Sequence, residues 1–95
     1  MGYLAVWKVL EEMVIDLRRK GISIPSNVVI DLRQAKTLIN ILAAEPARLD
    51  TSQKIEQQLQ DIEAFLVSET QGKLGSKYVE GWLKRIEEAY RRPFD

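Results

Sequence analysis

Apolar residues recur at steps of three and four along most of this 95-residue chain, and most of its five glycines and three prolines fall between the resulting stretches. Such steps place side chains on one face of an α-helix. The pattern predicts four helices. The first runs from near residue 3 to 20, and the second from near 25 to about 44, with a stop at Pro46. The third runs from a cap at 50 to a turn at 72–75, and the fourth from a cap at 76 to a stop at Pro93. No alternation lasts long enough to predict a strand, so the expected fold class is all-α.

Each predicted helix has an apolar face that we expect to point inward. Short connections favour antiparallel neighbours, so the sequence predicts an up-and-down four-helix bundle or two packed helical hairpins. A chain of this size is expected to form a single helical domain over residues 1–95. The expected inward residues, helix by helix, are Val6, Leu10, Met13, Val14 and Leu17; Val28, Leu32, Ala35, Leu38, Ile39 and Leu42; Ile55, Leu59, Ile62 and Leu66; and Val79, Trp82, Leu83, Ile86 and either Ala89 or Tyr90.

The last two predicted helices differ in charge. Residues 50–72 carry five acids against one base, and residues 73–92 carry six bases against three acids. Antiparallel packing of these helices would place opposite charges along their shared border. The charges would indicate how the two helices align, and they would add little to the stability of the bundle. Gly81 inside the last helix costs about 1 kcal/mol relative to alanine. Close approach of a neighbouring helix is the expected compensation.

The chain contains no histidine and no cysteine. This excludes metal sites built on imidazole or thiolate, histidine-based nucleophilic catalysis, disulfides and thiol redox chemistry. Carboxylates remain as metal ligands, and Glu12 and Asp16 share a helix face as candidates. Bundles that hydrolyse nucleotides with magnesium use paired Glu-x-x-Glu and Glu-x-x-Asp spacings, and this chain has no such pair of motifs. A divalent-metal-dependent nucleotide hydrolase is therefore an alternative; the first expectation is a protein without catalysis, cofactor or metal.

Two further binding functions have weak support. Residues 72–76 contain glycines, a lysine and a serine, but not in the order of a phosphate-binding loop, so a helix-to-helix turn is favoured over an anion site. The balance of fourteen basic and fourteen acidic side chains argues against nucleic acid or an anionic membrane as a partner. A weak nucleic-acid-binding module would depend on Arg18, Arg19 and Lys20, or on Arg85, Tyr90, Arg91 and Arg92.

One short segment, Val-Ile-Asp-Leu-Arg, occurs twice, at residues 14–18 and 29–33. In an antiparallel hairpin the end of the first helix lies near the start of the second. One interpretation is therefore a cluster of two Asp/Arg pairs. The favoured interpretation is chance repetition of an amphipathic pattern whose charged residues face solvent. The residues concerned are Asp16, Arg18, Asp31 and Arg33.

The first two helices carry more apolar residues than one buried face of each can use. Surplus apolar positions need a further partner, and Trp and Tyr dominate protein interfaces when they are buried there. The sequence therefore predicts a non-catalytic interaction or assembly module that forms a homodimer or binds a partner protein. The alternative is that Trp7 and Tyr3 only pack around the end of their own bundle. The predicted interface residues are Tyr3, Leu4, Trp7, Val9, Ile15, Val29, Ile30 and Ile41.

Two stretches, residues 3–10 (YLAVWKVL) and 24–33 (IPSNVVIDLR), resemble an uncharacterised archaeal family found mainly in methanogens. The resemblance covers most of the chain. It implies an archaeal cytoplasmic protein of unknown function and supplies no catalytic residues. It also implies that these residues can form the N-terminal domain of a longer protein. The sequence itself has no apolar run long enough to span a bilayer, which fits the cytoplasmic expectation.

Overall fold

The computed structural model describes residues 2–45 and 49–92. Four helices follow one another: α1 spans Tyr3–Arg19, α2 Ser26–Ala44, α3 Leu49–Leu74 and α4 Ser76–Tyr90. These described ranges contain no strand. The predicted all-α fold class is confirmed. The predicted stops at Pro46 and Pro93 lie outside the described residues.

The end of α1 is fixed by Gly21. Its φ of +80° is readily reached only without a Cβ. The Gly21 N–H donates to the Arg18 carbonyl at 3.0 Å, and the Ile22 N–H donates to the Leu17 carbonyl at 2.9 Å. This is a Schellman motif, which satisfies the last carbonyls of the helix. Leu17 and Ile22 are both buried, so the same turn also contributes to the core.

The connection between α3 and α4 is shorter than predicted. The expected turn at 72–75 is reduced to Gly75, because α3 continues through Gly72 as far as Leu74. Gly75 has a φ of +90°, which lets the chain reverse within one residue. Ser76 is the first helical residue of α4 and makes no capping hydrogen bond. Asp50 likewise lies in the first turn of α3 instead of preceding it.

The four helices alternate in direction. The Tyr3 and Ser52 hydroxyls are 2.9 Å apart, so α1 and α3 begin at the same end of the molecule. Tyr78, near the start of α4, donates a hydrogen bond to Asp16, near the end of α1. The predicted up-and-down bundle is therefore the observed topology.

The bundle has a flattened cross-section, and its Cα extents are 40 × 27 × 17 Å. Helices α1 and α3 contact each other and both remaining helices, whereas α2 and α4 do not contact each other in the described ranges. The cross-section is therefore a rhombus with α1 and α3 across its short diagonal. Helices α2 and α4 form the two protruding corners.

Most of the predicted inward residues are buried in one core. Three depart from the prediction: Leu38 and Trp82 are half-buried, and Leu83 is 38% exposed. Gly81 is also corrected: it is exposed, and nothing lies within 4 Å of a Cβ built on it. The predicted close approach is wrong because Gly81 lies on the outward face of α4.

The predicted charge border between α3 and α4 has no ion pair among the described residues. Arg85 of α4 instead pairs with Glu12 of α1, and Arg91 pairs with Glu87 within α4. Arg85 pairs with α1 because α4 turns this side chain toward α1. No helix in the described part of the chain is both long and apolar enough to cross a membrane.

Candidate interaction surface

The structure uses the two predicted interface aromatics inside the bundle. Tyr3 is 6% exposed and belongs to the core. The Trp7 ring is half-buried, and its Nε1 donates to the Leu32 carbonyl of α2 at 2.7 Å. The Lys36 ammonium lies 4.3 Å from the centre of the same ring. Trp7 thus links α1 to α2 through its hydrogen bond to Leu32, and Tyr3 links α1 to α3 through its hydrogen bond with Ser52.

The other predicted interface residues divide by exposure. Leu4, Val9 and Val29 are half-buried and pack against the core. Three isoleucines remain at the surface: Ile15 is 44% exposed, Ile30 50% and Ile41 38%. Of the predicted interface residues, one in α1 and two in α2 are therefore exposed.

Ile30 and Ile41 lie on one line along α2. They are eleven residues apart, which is close to three full turns of an α-helix. Gln34 and Thr37 lie between them on the same outward face, and both are exposed. We call Ile30, Gln34, Thr37 and Ile41 the α2 strip. It carries no charge, and it runs along one protruding corner of the rhombus.

A shallow groove between α2 and α3 borders the strip. Its lining comprises Gln34, Thr37, Leu38, Lys54 and Gln58. The Gln58 amide donates to the Gln34 carbonyl oxygen at 3.3 Å, and its own carbonyl oxygen is buried without a partner among the described residues. Sequence reasoning missed Gln34 and Thr37, because polar residues inside a helical pattern give no signal of an interface.

The face between α1 and α4 has a different character. Glu12 accepts a hydrogen bond from Arg85, whose guanidinium lies 4.7 Å from the centre of the Trp82 ring. Ile15 lies in a shallow depression of this face beside Glu12, Asp16, Arg19 and Trp82. Its surroundings are therefore charged, unlike those of the two isoleucines of α2.

Asp16 occupies the other end of this face. Its carboxylate accepts hydrogen bonds from Lys20 Nζ at 2.8 Å and from the Tyr78 hydroxyl. These two donors hold the pKa of Asp16 below its ordinary value. Glu12 and Asp16 therefore face other side chains at the surface and not the core. The described residues contain no group of three or more acidic side chains placed to hold a metal ion.

The repeated pentapeptide does not form a cluster among the described residues. Asp16 pairs with Lys20, and no ion pair joins it to the second copy at 29–33. The two copies turn the same face inward: Leu17 and Leu32 are buried, and Ile15 and Ile30 are exposed. The favoured interpretation, in which the charged residues face solvent, holds for Arg18 and Arg33, whereas Asp16 is half-buried and accepts a hydrogen bond from Tyr78.

A buried polar group between α3 and α4 was not predicted. The Tyr90 hydroxyl is buried near Glu63 and Glu56. Burial raises the pKa of Glu63, and burial together with the two carboxylates raises the pKa of Tyr90. Ionisation is therefore disfavoured at both groups.

One family of four-helical bundle domains matches nearly the whole chain. The model of the DUF2096 N-terminal four-helical bundle domain matches residues 5–94. The chain belongs to this family. No curated protein and no solved structure is significantly similar to it. The description of the DUF2096 N-terminal domain agrees with the observed bundle, and the match fits an uncharacterised family.

Proposed function

We propose that this bundle is a non-catalytic assembly module that self-associates through the α2 strip. The observation that supports the proposal is the alignment of Ile30 and Ile41, 50% and 38% exposed, on one uncharged line of a protruding helix. Single exposed apolar residues are ordinary at protein surfaces. Two aligned isoleucines with only uncharged side chains between them form one face that a second copy can cover.

The α2 strip is favoured over the other exposed isoleucine. Ile15 lies beside Glu12, Asp16 and Arg19, so covering it would remove charged groups from water. Gln34 and Thr37 cost less to cover, because an amide and a hydroxyl can hydrogen-bond across an interface. The strip also protrudes, so a partner can reach it without meeting α1 or α3.

The association is expected to be weak. The distance from Ile30 to Ile41 along α2 is about 16 Å at the usual helical rise. One helix face of that length buries less than a standard stable interface. We therefore expect a monomer–dimer equilibrium that responds to protein concentration in the micromolar range or above.

Sedimentation velocity over a wide concentration range tests the proposal. The natural protein is expected to shift from monomer to dimer, and Ile30→Gln together with Ile41→Gln is expected to abolish the shift. Ile15→Gln is the matched control, since it removes an isoleucine of similar exposure from α1. Circular dichroism confirms that each variant is folded. A natural protein that remains monomeric at the highest concentration, or a control that loses the dimer equally, would contradict the proposal.

The two alternatives receive less support from the geometry. A nucleotide hydrolase would need carboxylates free to hold a metal, whereas Glu12 and Asp16 are engaged by Arg85, Lys20 and Tyr78. Calorimetry with magnesium and manganese tests the hydrolase: heat of binding that disappears in Glu12→Gln would favour it.

Nucleic-acid binding would need a free basic face. Salt-sensitive binding that is lost when Arg91 and Arg92 are neutralised would favour a nucleic-acid-binding module.

The wider setting of the bundle is also a proposal. We propose that residues 1–95 fold as one domain within a longer archaeal cytoplasmic protein. The description of the family as an N-terminal domain supports the first part. The resemblance of residues 3–10 and 24–33 to an archaeal family supports the second. Immunodetection in fractionated cells is expected to find a band larger than 10.9 kDa in the cytoplasmic fraction. A band of that mass, or one confined to membranes, would contradict it.

A further inference from the structure

The alternating direction of the helices brings four chain segments together at one end of the bundle. This end comprises the last turns of α1 and α3, the first turns of α2 and α4, and the two connections between them, which are residues 16–29 and 71–79. We call it the basic end. Its only acid is Asp16, which already accepts a hydrogen bond from Lys20. Its five bases are all exposed: Arg18, Arg19, Lys20, Lys73 and Lys77.

The neutral total charge of the chain does not apply to each end of the molecule. The opposite end, formed by residues 2–6, 41–45, 49–52 and 87–92, carries four acids and two bases in these described ranges. The balance of fourteen basic and fourteen acidic side chains therefore combines two ends of opposite sign. A long anion that approaches the bundle is attracted by one end and repelled by the other.

Helix dipoles account for only part of the basic end. Arg18, Arg19 and Lys73 lie in the last turns of α1 and α3, where bases complement the negative end of a helix. Lys77 lies in the first turn of α4, where a base is unfavourable. The first turns of α2 and α4 also contain no acid, and neither helix start has a side-chain cap. The backbone N–H groups that open these two helices can therefore bind an external anion.

The uncharged polar residues of the basic end suit a phosphate backbone. Phosphates of nucleic acids are contacted by Lys, Arg, Ser, Asn and Gln side chains and by helix N-termini. The exposed uncharged side chains with hydrogen-bonding groups at this end are Ser23, Ser26, Asn27, Gln71 and Ser76. The next acids along the four helices lie beyond these terminal turns, so a partner that rests on the end meets the bases first. These acids are Glu12, Asp31, Glu69 and Glu80.

The basic end lacks the apolar anchors that a protein partner or a membrane would use. None of the exposed large hydrophobic residues of the described chain lies within it, and the nearest, Ile15 and Ile30, lie on the sides of α1 and α2. Protein interfaces depend on aromatic and apolar anchors, and proteins that lie on a membrane insert apolar side chains into it. Phosphate contacts need no such anchors, because the release of counterions supplies the affinity.

We propose that the basic end binds the phosphate backbone of double-stranded nucleic acid without reading its sequence. A single strand fits less well, because binding of single strands also uses exposed aromatic rings for base stacking. The aromatic residue of this end is Tyr78, which is half-buried, and Lys20 Nζ lies 5.2 Å from the centre of its ring. The basic end is separate from the α2 strip and from Arg91 and Arg92, so the proposal does not depend on self-association.

Fluorescence anisotropy with short labelled DNA and RNA duplexes of mixed sequence tests the proposal. At low salt we expect binding to a duplex, and the logarithm of the association constant should fall linearly with the logarithm of the salt concentration. The DNA and RNA titrations show which backbone binds more tightly. Lys73→Gln together with Lys77→Gln is expected to weaken binding by about tenfold or more and to lower the salt slope by about 2.

Arg91→Gln together with Arg92→Gln is the matched control, because it removes the same charge from the opposite end of the bundle. The control is expected to keep the affinity and the salt slope, and circular dichroism confirms that both variants are folded. A loss in the control as large as that in the Lys73 and Lys77 variant would overturn the proposal. Absence of duplex binding at low salt would also overturn it, as would binding to phosphatidylserine vesicles without binding to either duplex.

Discussion

At the scale of single residues, two glycines have opposite roles. A Cβ at Gly2 would lie 2.6 Å from the Ala89 carbonyl oxygen and 3.1 Å from the Arg92 Cβ, whereas a Cβ at Gly81 meets nothing within 4 Å. We expect Gly2→Ala to lower the free energy of unfolding by about 1–3 kcal/mol, because α1 must move from α4. Gly81→Ala is expected to raise it by about 1 kcal/mol through helix propensity. Urea unfolding followed by circular dichroism measures both changes. A Gly2→Ala variant with the same free energy of unfolding as the natural protein would show that the start of α1 is not tightly packed.

Glu63 is expected to make stability depend on pH. Burial raises its pKa above the ordinary value of 4.5, so folding favours the protonated carboxyl. This contribution is fully present below pH 4.5 and is lost as pH rises through the higher folded pKa. Glu63→Gln should therefore be more stable than the natural protein at pH 7, by less than about 1 kcal/mol for a half-buried group. Unfolding at pH 7 and pH 4 tests this: the gain should shrink at pH 4, and a variant less stable at pH 7 would contradict it.

At the scale of elements, the attachment of α4 depends on few polar contacts. Tyr78→Phe keeps the ring but removes the hydrogen bond to Asp16. We expect a loss of about 1 kcal/mol, since the accepting carboxylate is charged but partly exposed. The lowered pKa of Asp16 gives stability that is present above 3.8 and lost as pH falls through the lower folded pKa. The difference between Tyr78→Phe and the natural protein should therefore shrink as pH falls below 3.8, and a difference that does not change with pH would assign the effect to packing.

The sequence predicted the elements better than their ends. The inward faces of α1 and α3 were predicted correctly, because Leu10, Leu17 and Leu59 repeat at steps that only one helical face can satisfy. The end of α3 was missed because Gly72 sits within a helix whose packing outweighs the propensity cost of one glycine. Leu83 was placed inward because its position is close to the apolar face of α4. Its exposure depends on how far α3 lies from that edge, which spacing does not encode.

At the scale of the whole molecule, the candidate surface could be predicted only in part. The apolar surplus singled out Ile30 and Ile41, which are exposed, and their part in an interface stays a prediction. Tyr3 and Trp7 were indistinguishable from interface aromatics in the sequence. Their use inside the bundle depends on partners in other helices, Ser52 and the Leu32 carbonyl. The protruding position of α2 follows from the rhombic cross-section. The spacing of apolar residues along the sequence does not show which two opposite helices contact each other across the bundle.

That cross-section predicts an order of local stability. Helices α1 and α3 each contact all three other helices, whereas α2 and α4 contact only those two. Opening α2 or α4 exposes less core than opening α1 or α3, so their amides should exchange with solvent first. Hydrogen exchange followed by NMR or mass spectrometry is expected to be slowest near Leu10–Leu17 and Ile55–Leu66. Dilute samples are required, because self-association through the α2 strip would protect α2. Equal exchange rates in all four helices would show that the bundle opens as one unit.

The Gly81→Ala variant gives a second test of this order. The substitution is expected to slow exchange in α4 and to leave exchange in α1 and α3 nearly unchanged.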